Sequence, residues 1–118
     1  MAMKSELRVL DAARMVADDV NRLIKSRRLE NGEQLRTAAE SISANIQEGF
    51  GRGPGRDRNR FIRFARGSAE ETSERLRARF FAEELPASIY WPLHHRLVAI
   101  IRMLTNLMVA VNTRVAAD

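Results

Sequence analysis

Residues 93–111 read LHHRLVAIIRMLTNLMVAV, and this stretch decides the fold class. Its large apolar side chains recur at steps of four and three residues, at Leu93, Leu97, Ile100, Leu104, Leu107 and Val111. That spacing places them on one face of an α-helix, whereas a half-buried strand alternates every second residue. The most apolar part, residues 97–111, is too short to span a bilayer and carries Arg102 in its middle, so we predict a helix buried in a bundle, with no membrane partner.

The same helical spacing recurs three times upstream. The first run comprises Val9, Ala13, Val16, Val20, Leu23 and Arg27. The second comprises Leu35, Ala38, Ala39, Ile42, Ile46 and Phe50. The third comprises Phe61, Phe64, Ala65, Ser68, Thr72 and Leu76. The four runs together predict helices at about residues 5–28, 32–50, 57–85 and 90–115.

Short connections separate these predicted helices. Asn31 and Gly32 interrupt the first break, where Asn31 is the expected N-cap of the second helix. Residues 49–55, GFGRGPG, contain four glycines and a proline and form the strongest break in the chain. Pro92 suits the first turn of the fourth helix, where a missing N–H costs little. We therefore predict an all-α protein, an antiparallel up-down four-helix bundle, with residues 1–118 forming one domain.

Several functional classes find no support in the sequence. The chain has no cysteine, which excludes disulfides and thiolate metal sites. The adjacent His94 and His95 would point about 100° apart on a helix, which does not suit one metal ion. With no nucleophile–base pair or cofactor motif, we predict no catalytic residues, no metal, no cofactor and no enzymatic activity. Residues 1–10 lack the apolar segment of a signal peptide, so a cytoplasmic location is expected.

Positive charge is concentrated in one segment. The chain has 20 basic and 15 acidic residues, a net charge of +5. Residues 52–66 alone hold six arginines and one aspartate, a net +5, so the remaining 14 basic and 14 acidic residues cancel. On a wheel of about 100° per residue, Arg56, Arg60, Arg63 and Arg66 lie roughly 140° to 260° from Phe61. We predict a phosphate-contacting stripe that binds RNA or DNA, formed by Arg52, Arg56, Arg60, Arg63 and Arg66. The alternatives are a solvated face, ion pairs with acidic residues of neighbouring helices or subunits, or a surface that pairs with acidic groups of a protein partner.

A longer motif lies in the second and third predicted helices. Residues 41–52 read SISANIQEGFGR, and residues 60–68 read RFIRFARGS. With residues 36–40, Glu71 and Leu76, they resemble the bacterial four-helix-bundle proteins encoded in intervening sequences of ribosomal RNA genes. That family also includes accessory proteins of diversity-generating retroelements. The resemblance implies a homo-oligomer, a closed ring of five copies, and it implies no established activity.

Polar residues near the predicted core require partners. Asn45 lies mid-helix beside the apolar face, so its amide should bond to Ser68 or Glu71 on the third helix. With Glu48, these residues form the predicted polar network, whose alternative role is in ligand binding or catalysis. Two pairs of small residues predict a close approach of two helix backbones, namely Ser43–Ala44 and Gly67–Ser68.

Two arginines on the predicted core face of the third helix indicate a subunit interface. Arg75 and Arg79 fall within that stripe, and a bundle core does not accept unpaired arginines. Either the stripe rotates there, or the two arginines pair with carboxylates at an interface between copies. Aromatic side chains would complete the interface, namely Phe80, Phe81, Tyr90 and Trp91.

Overall fold

A computed structural model describes residues 4–117, with the side chains of residue 4 and residues 6–108. The described part is all-α, without a strand, and its helices are α1 Lys4–Ser26, α2 Glu33–Phe50, α3 Arg56–Phe81 and α4 Ala87–Ala117. The molecule is elongated, about 51 Å by 21 Å by 20 Å. Within the described residues, no helix has the length and hydropathy needed to cross a bilayer. The prediction of an all-helical fold is confirmed.

Each helix packs against two others. Helix α1 contacts α2 and α4, and α3 contacts the same two helices. The diagonal pairs α1–α3 and α2–α4 bring no Cα atoms within 8 Å of each other in the described helices. Side-chain bonds connect Gln34 with Arg75 and Ser41 with Ser68 between α2 and α3. Because each helix packs against its two neighbours and not against the diagonal helix, the four apolar faces meet along one central axis.

The core of α1, α2 and α4 follows the predicted seams. Its fully buried side chains include Val9, Val16, Val20, Leu35, Ile42, Ile46, Leu97, Ile100 and Leu104. Three end positions differ, because Arg27 is exposed and both Phe50 and Leu107 are only partly buried. Met108 takes the inward position of Leu107. The side chain of Val111 lies outside the described residues. The regular apolar spacing therefore predicted correctly which face of each of these three helices is buried.

The predicted core face of α3 is wrong in its first half. Phe64 is 51% exposed, and Phe61 and Ser68 are only half-buried. The residues that face the core are Arg58, Asn59, Ile62, Ala65, Ala69, Thr72 and Leu76. The inward face is therefore made largely of small and polar side chains. The pattern of large apolar residues predicted that the phenylalanines of α3 face the core. In the structure the helix is rotated, so that the smaller residues pack against α2 and α4 instead.

Helix ends also differ from the predictions. Asn31 adopts a positive φ of 54°, and the N-cap of α2 is Gly32, which makes no side-chain cap bond. Helix α3 ends at Phe81, where Glu83 turns the chain with a φ of 63°. Helix α4 begins at Ala87, so Pro92 lies inside the helix beyond its first turn. The left-handed conformations of Asn31 and Glu83 account for the first two of these differences.

Two glycines of the α2–α3 pair have opposite surroundings. Gly49 is buried, and a Cβ built there would lie 3.1 Å from the Phe61 Cβ and 3.3 Å from the Arg58 carbonyl oxygen. At Gly67 no atom lies within 4 Å of such a Cβ. Gly67 itself therefore faces open space, whereas its neighbour Ser68 meets Ser41 of α2, with 2.6 Å between the two Oγ atoms.

Gly67→Ala should stabilise the protein. We expect the free energy of unfolding to rise by about 0.5–1 kcal/mol, because alanine restricts the unfolded chain and meets nothing at this position. Urea denaturation followed by circular dichroism measures the change. Gly49→Ala is the matched control, in which crowding against Phe61 offsets the same gain. A loss of stability in Gly67→Ala would contradict the open surroundings of this residue.

Candidate nucleic-acid interface

Arg52 lies at the turn between α2 and α3 and is held by two carboxylates. Its guanidinium donates to Glu48 Oε1 at 2.9 Å and to Asp57 Oδ2 at 3.5 Å. The same group lies 4.8 Å from the centroid of the Phe61 ring. The hydrogen bond to Glu48 raises the pKa of Arg52 further above its ordinary value.

Three further arginines lie on the outward face of α3. Arg60 is 53% exposed at its side chain, 3.9 Å from Asp57, and its guanidinium lies 5.2 Å from the Phe61 ring centroid. Arg56 and Arg63 are exposed, and no carboxylate of the described chain pairs with either. We call Arg52, Arg56, Arg60 and Arg63, with Phe61 and Phe64, the arginine surface. Its four cations face two carboxylates, Glu48 and Asp57, which leaves a net charge of +2.

Arg66 does not join this surface. It is half-buried and turns toward α4, where its Nη1 donates to Thr105 Oγ1 at 3.4 Å. Its Nε also lies 3.7 Å from Glu70 Oε1. The structure therefore places one of the five predicted arginines in the α3–α4 groove and holds it with partners inside the chain.

Arg58 is the arginine of this segment that turns inward, and the sequence patterns did not single it out. It is 7% exposed, donates to the Glu6 carboxylate of α1, and lies 4.9 Å from the Phe50 ring centroid. On the helical wheel Arg58 falls roughly 60° from Phe61, on the side that proves to be the core. One of the six positive charges of residues 52–66 is thus used within the bundle.

The predicted polar network is arranged differently. Asn45 donates within α2, to the Ser41 carbonyl at 2.8 Å, and does not bond to Ser68 or Glu71. The bond between the helices joins Ser41 Oγ to Ser68 Oγ at 2.6 Å. Glu48 and Glu71 instead pair with Arg52 and Arg75 one turn away. Ser41 was missed, although it belongs to the quoted motif and precedes Asn45 by one helical turn.

Arg75 and Arg79 find partners inside the chain. Arg75 donates to Gln34 at 2.7 Å and to Glu71 at 3.0 Å. Arg79 donates to Glu84 at 3.0 Å and to the Glu30 carbonyl at 2.6 Å, which ties the α1–α2 turn to the α3–α4 turn. Their pairing within the described residues satisfies both charges without a second copy, and their place in a subunit interface stays a prediction.

The other predicted interface residues form an aromatic cluster where α3 ends and α4 begins. The Phe80 and Tyr90 rings stack with centroids 4.5 Å apart, and Trp91 lies 5.0 Å from Tyr90. Tyr90 is buried, whereas Phe81 is 69% exposed and Trp91 is 45% exposed. His94 and His95 extend the cluster along α4, and no group of three metal-binding side chains occurs in the described part of the chain.

Four helices packed around an apolar axis, with a cationic outer face on α3, define a small helical-bundle protein. The family model described as 23S rRNA-intervening sequence protein matches residues 5–106, and the chain belongs to this family. The resemblance drawn from the sequence motif is confirmed. No curated protein matches the sequence.

A solved structure shares the fold. It is a protein of unknown function from the S23 ribosomal protein family of Bacteroides thetaiotaomicron VPI-5482. The two chains superpose with a TM-score of 0.80 at 20% sequence identity, over 88% of this chain and 97% of the other. At this identity the likeness concerns the fold alone.

Proposed function

We propose that this protein is a non-enzymatic antiparallel up-down bundle that binds RNA or DNA in the cytoplasm through its arginine surface. One observation carries the proposal: Arg56 and Arg63 are exposed cations without a carboxylate partner in the described chain. Guanidinium groups present donors that match phosphate oxygens. Contacts of this kind position a nucleic acid and read little of its sequence, so binding should be almost sequence-independent.

Self-assembly would strengthen such binding. A single surface with a net charge of +2 gives weak affinity, and several copies in one particle act at a high effective concentration. We propose a homo-oligomer, a closed ring of five as the family resemblance implies. Phe81 and Trp91 support the assembly, because exposed aromatic side chains are enriched in protein interfaces.

Charge reversal on α3 tests the proposal. In fluorescence anisotropy with labelled RNA and DNA over a salt series, wild-type affinity should fall log-linearly as salt rises. The double variant Arg60→Glu/Arg63→Glu should bind at least about tenfold more weakly, with a salt slope lower by about 1.5 or more, because two phosphate contacts are lost.

The control for this experiment is Arg8→Glu/Arg14→Glu. Both arginines are exposed on α1, so the double variant has the same net charge as the test protein and leaves the arginine surface intact. It should retain most of the affinity. Equal losses in the two double variants would show that overall charge, and not the arginine surface, determines binding.

A protein scaffold is the second candidate function. The exposed aromatic cluster favours it, because Phe81 and Trp91 offer apolar contacts to a partner protein. In that case the arginine surface would pair with acidic side chains of the partner. A scaffold would form a stable particle by light scattering and show no affinity for nucleic acid even at low salt.

A further inference from the structure

Phe64 is a large apolar side chain on the most cationic face of the protein. It is 51% exposed, one helical turn beyond Arg60 and directly after Arg63 in the chain. Its ring meets Phe61 edge-on, with centroids 5.8 Å apart and an interplanar angle of 89°. The edge contact leaves a face of the Phe64 ring without an aromatic neighbour in the described chain. An exposed phenylalanine in this position contributes little to the core.

Gly67 provides open space next to this ring. It follows Phe64 by three residues and Arg63 by four, so the three lie on neighbouring turns of one helix face. It is exposed, and a Cβ at this position would meet no atom within 4 Å. Glycine destabilises a helix when it lies in the middle, and no packing contact within the described chain requires a glycine at position 67. Because helical side chains lean toward the N-terminus, the missing side chain at Gly67 leaves the helix surface next to Phe64 uncovered.

Cations surround this aromatic pair. The guanidinium groups of Arg52 and Arg60 lie 4.8 Å and 5.2 Å from the Phe61 ring centroid, distances typical of cation–π contacts. These contacts help to fix two cations, while Arg63 stays exposed beside Phe64. Aromatic faces interleaved with arginines are the arrangement by which proteins bind single strands, since bases stack on rings and phosphates meet the cations.

We propose that the arginine surface selects single-stranded over double-stranded nucleic acid, with one base stacked on Phe64 above Gly67. The adjoining phosphates contact Arg60 and Arg63. A duplex keeps its bases inside its own stack and presents only phosphates to this surface, so it cannot use the phenylalanine. The inference rests on the proposed function and adds the class of nucleic acid. It makes no distinction between RNA and DNA, because every base has a face that can stack.

The test compares single strands with a duplex. Labelled RNA and DNA strands of about 20 nucleotides, long enough for one site, and the duplex of the same sequence are titrated by anisotropy at one salt concentration. Phe64→Ala should weaken single-strand binding roughly five- to tenfold, the lower part of the range for one stacked base. Duplex binding should change less than about twofold. Phe64→Trp should retain single-strand binding, and Gly67→Leu should reduce it by covering the helix surface next to Phe64.

The matched control is Met15→Ala. Met15 is 60% exposed on α1, so the substitution removes an equally accessible apolar side chain away from α3. It should leave both affinities unchanged. Light scattering of Phe64→Ala should give the wild-type mass. A lower mass would overturn the inference and assign the Phe64 face to contacts between copies of the chain.

The remaining outcomes separate the two proposals. If single strands and duplex bind equally and Phe64→Ala alters neither affinity, the inference is overturned and the proposed function stands. Equal losses for both forms in Phe64→Ala also overturn the inference, because stacking would then not be the cause. If neither form binds to the wild-type protein at low salt, the proposed function fails and the inference fails with it.

Discussion

Glu6→Ala should lower the free energy of unfolding by about 3–5 kcal/mol, because it leaves the Arg58 guanidinium buried without its carboxylate. The side chains of Glu6 and Arg58 are each 8% exposed. The Nε of Arg58 already has no hydrogen-bond partner among the described residues, so the ion pair with Glu6 is the main compensation for burying this charge. A surface ion pair would contribute at most about 1 kcal/mol, and burial explains the difference.

The position of the pair adds to its importance. Helices α1 and α3 lie on a diagonal of the bundle and their backbones do not touch, so Arg58 reaches across the core to Glu6. The Phe50 ring at the end of α2 covers the guanidinium, with 4.9 Å between its centroid and the guanidinium carbon. Three helices therefore meet at this one side chain.

A double-mutant cycle separates the pair from its surroundings. Urea denaturation gives the free energy of unfolding for wild type, Glu6→Leu, Arg58→Met and the double variant. Each single variant should be strongly destabilised, whereas the double variant should return to within about 1–2 kcal/mol of wild type, since apolar groups of similar size need no counter-charge. Single variants that each lose less than about 1 kcal/mol would show that water reaches the pair.

Ile62→Ala should cost about 2–4 kcal/mol, while Phe64→Ala should change stability by no more than about 0.5 kcal/mol. Ile62 is 1% exposed, and its truncation leaves a cavity between the helices. Phe64 is 51% exposed and loses mainly its contact with Phe61. Phenylalanine is the larger residue, so the expected order is the reverse of what side-chain size alone would give.

Both variants are measured by the same urea denaturation, and the slope of free energy against urea should stay constant. The comparison tests the rotation of α3 directly. A Phe64→Ala variant less stable than Ile62→Ala would place Phe64 in the core, as the large apolar residues of this helix predicted. A stable, folded Phe64→Ala protein is also what the nucleic-acid titrations require.

The sequence alone predicted the helices whose buried face is marked by regularly spaced apolar residues. Helix α4 has an apolar residue at nearly every inward position, so periodicity fixes its orientation, and the same holds for α1. Helix α3 has a weaker signal, because Ala65, Ala69 and Thr72 occupy its inward face. In this part of α3 the neighbouring helix comes close, since Ser41 Oγ of α2 and Ser68 Oγ of α3 lie 2.6 Å apart. That distance is a property of the packed bundle and is not encoded in any single helix.

The candidate site, like the fold, could be predicted from the sequence only in part. The charge count located the arginine surface, since a cluster of six arginines is visible without a structure. It could not separate Arg56 and Arg63, which stay exposed, from Arg58, whose partner Glu6 is 52 residues away. Arg66 likewise bonds to Thr105 on another helix. Partners distant in sequence become neighbours only through tertiary packing, and a helical wheel holds no information about them.

The contrast between Gly49 and Gly67 has a consequence for how this protein evolves. Folding alone retains Gly49, since any side chain there pushes against the backbone of α3. Nothing in the described fold retains Gly67, and a lineage that exchanged it for alanine would gain stability at once. Drift would therefore remove this glycine unless the protein surface were in use. Its persistence in descendants would be a record of selection by whatever the surface contacts.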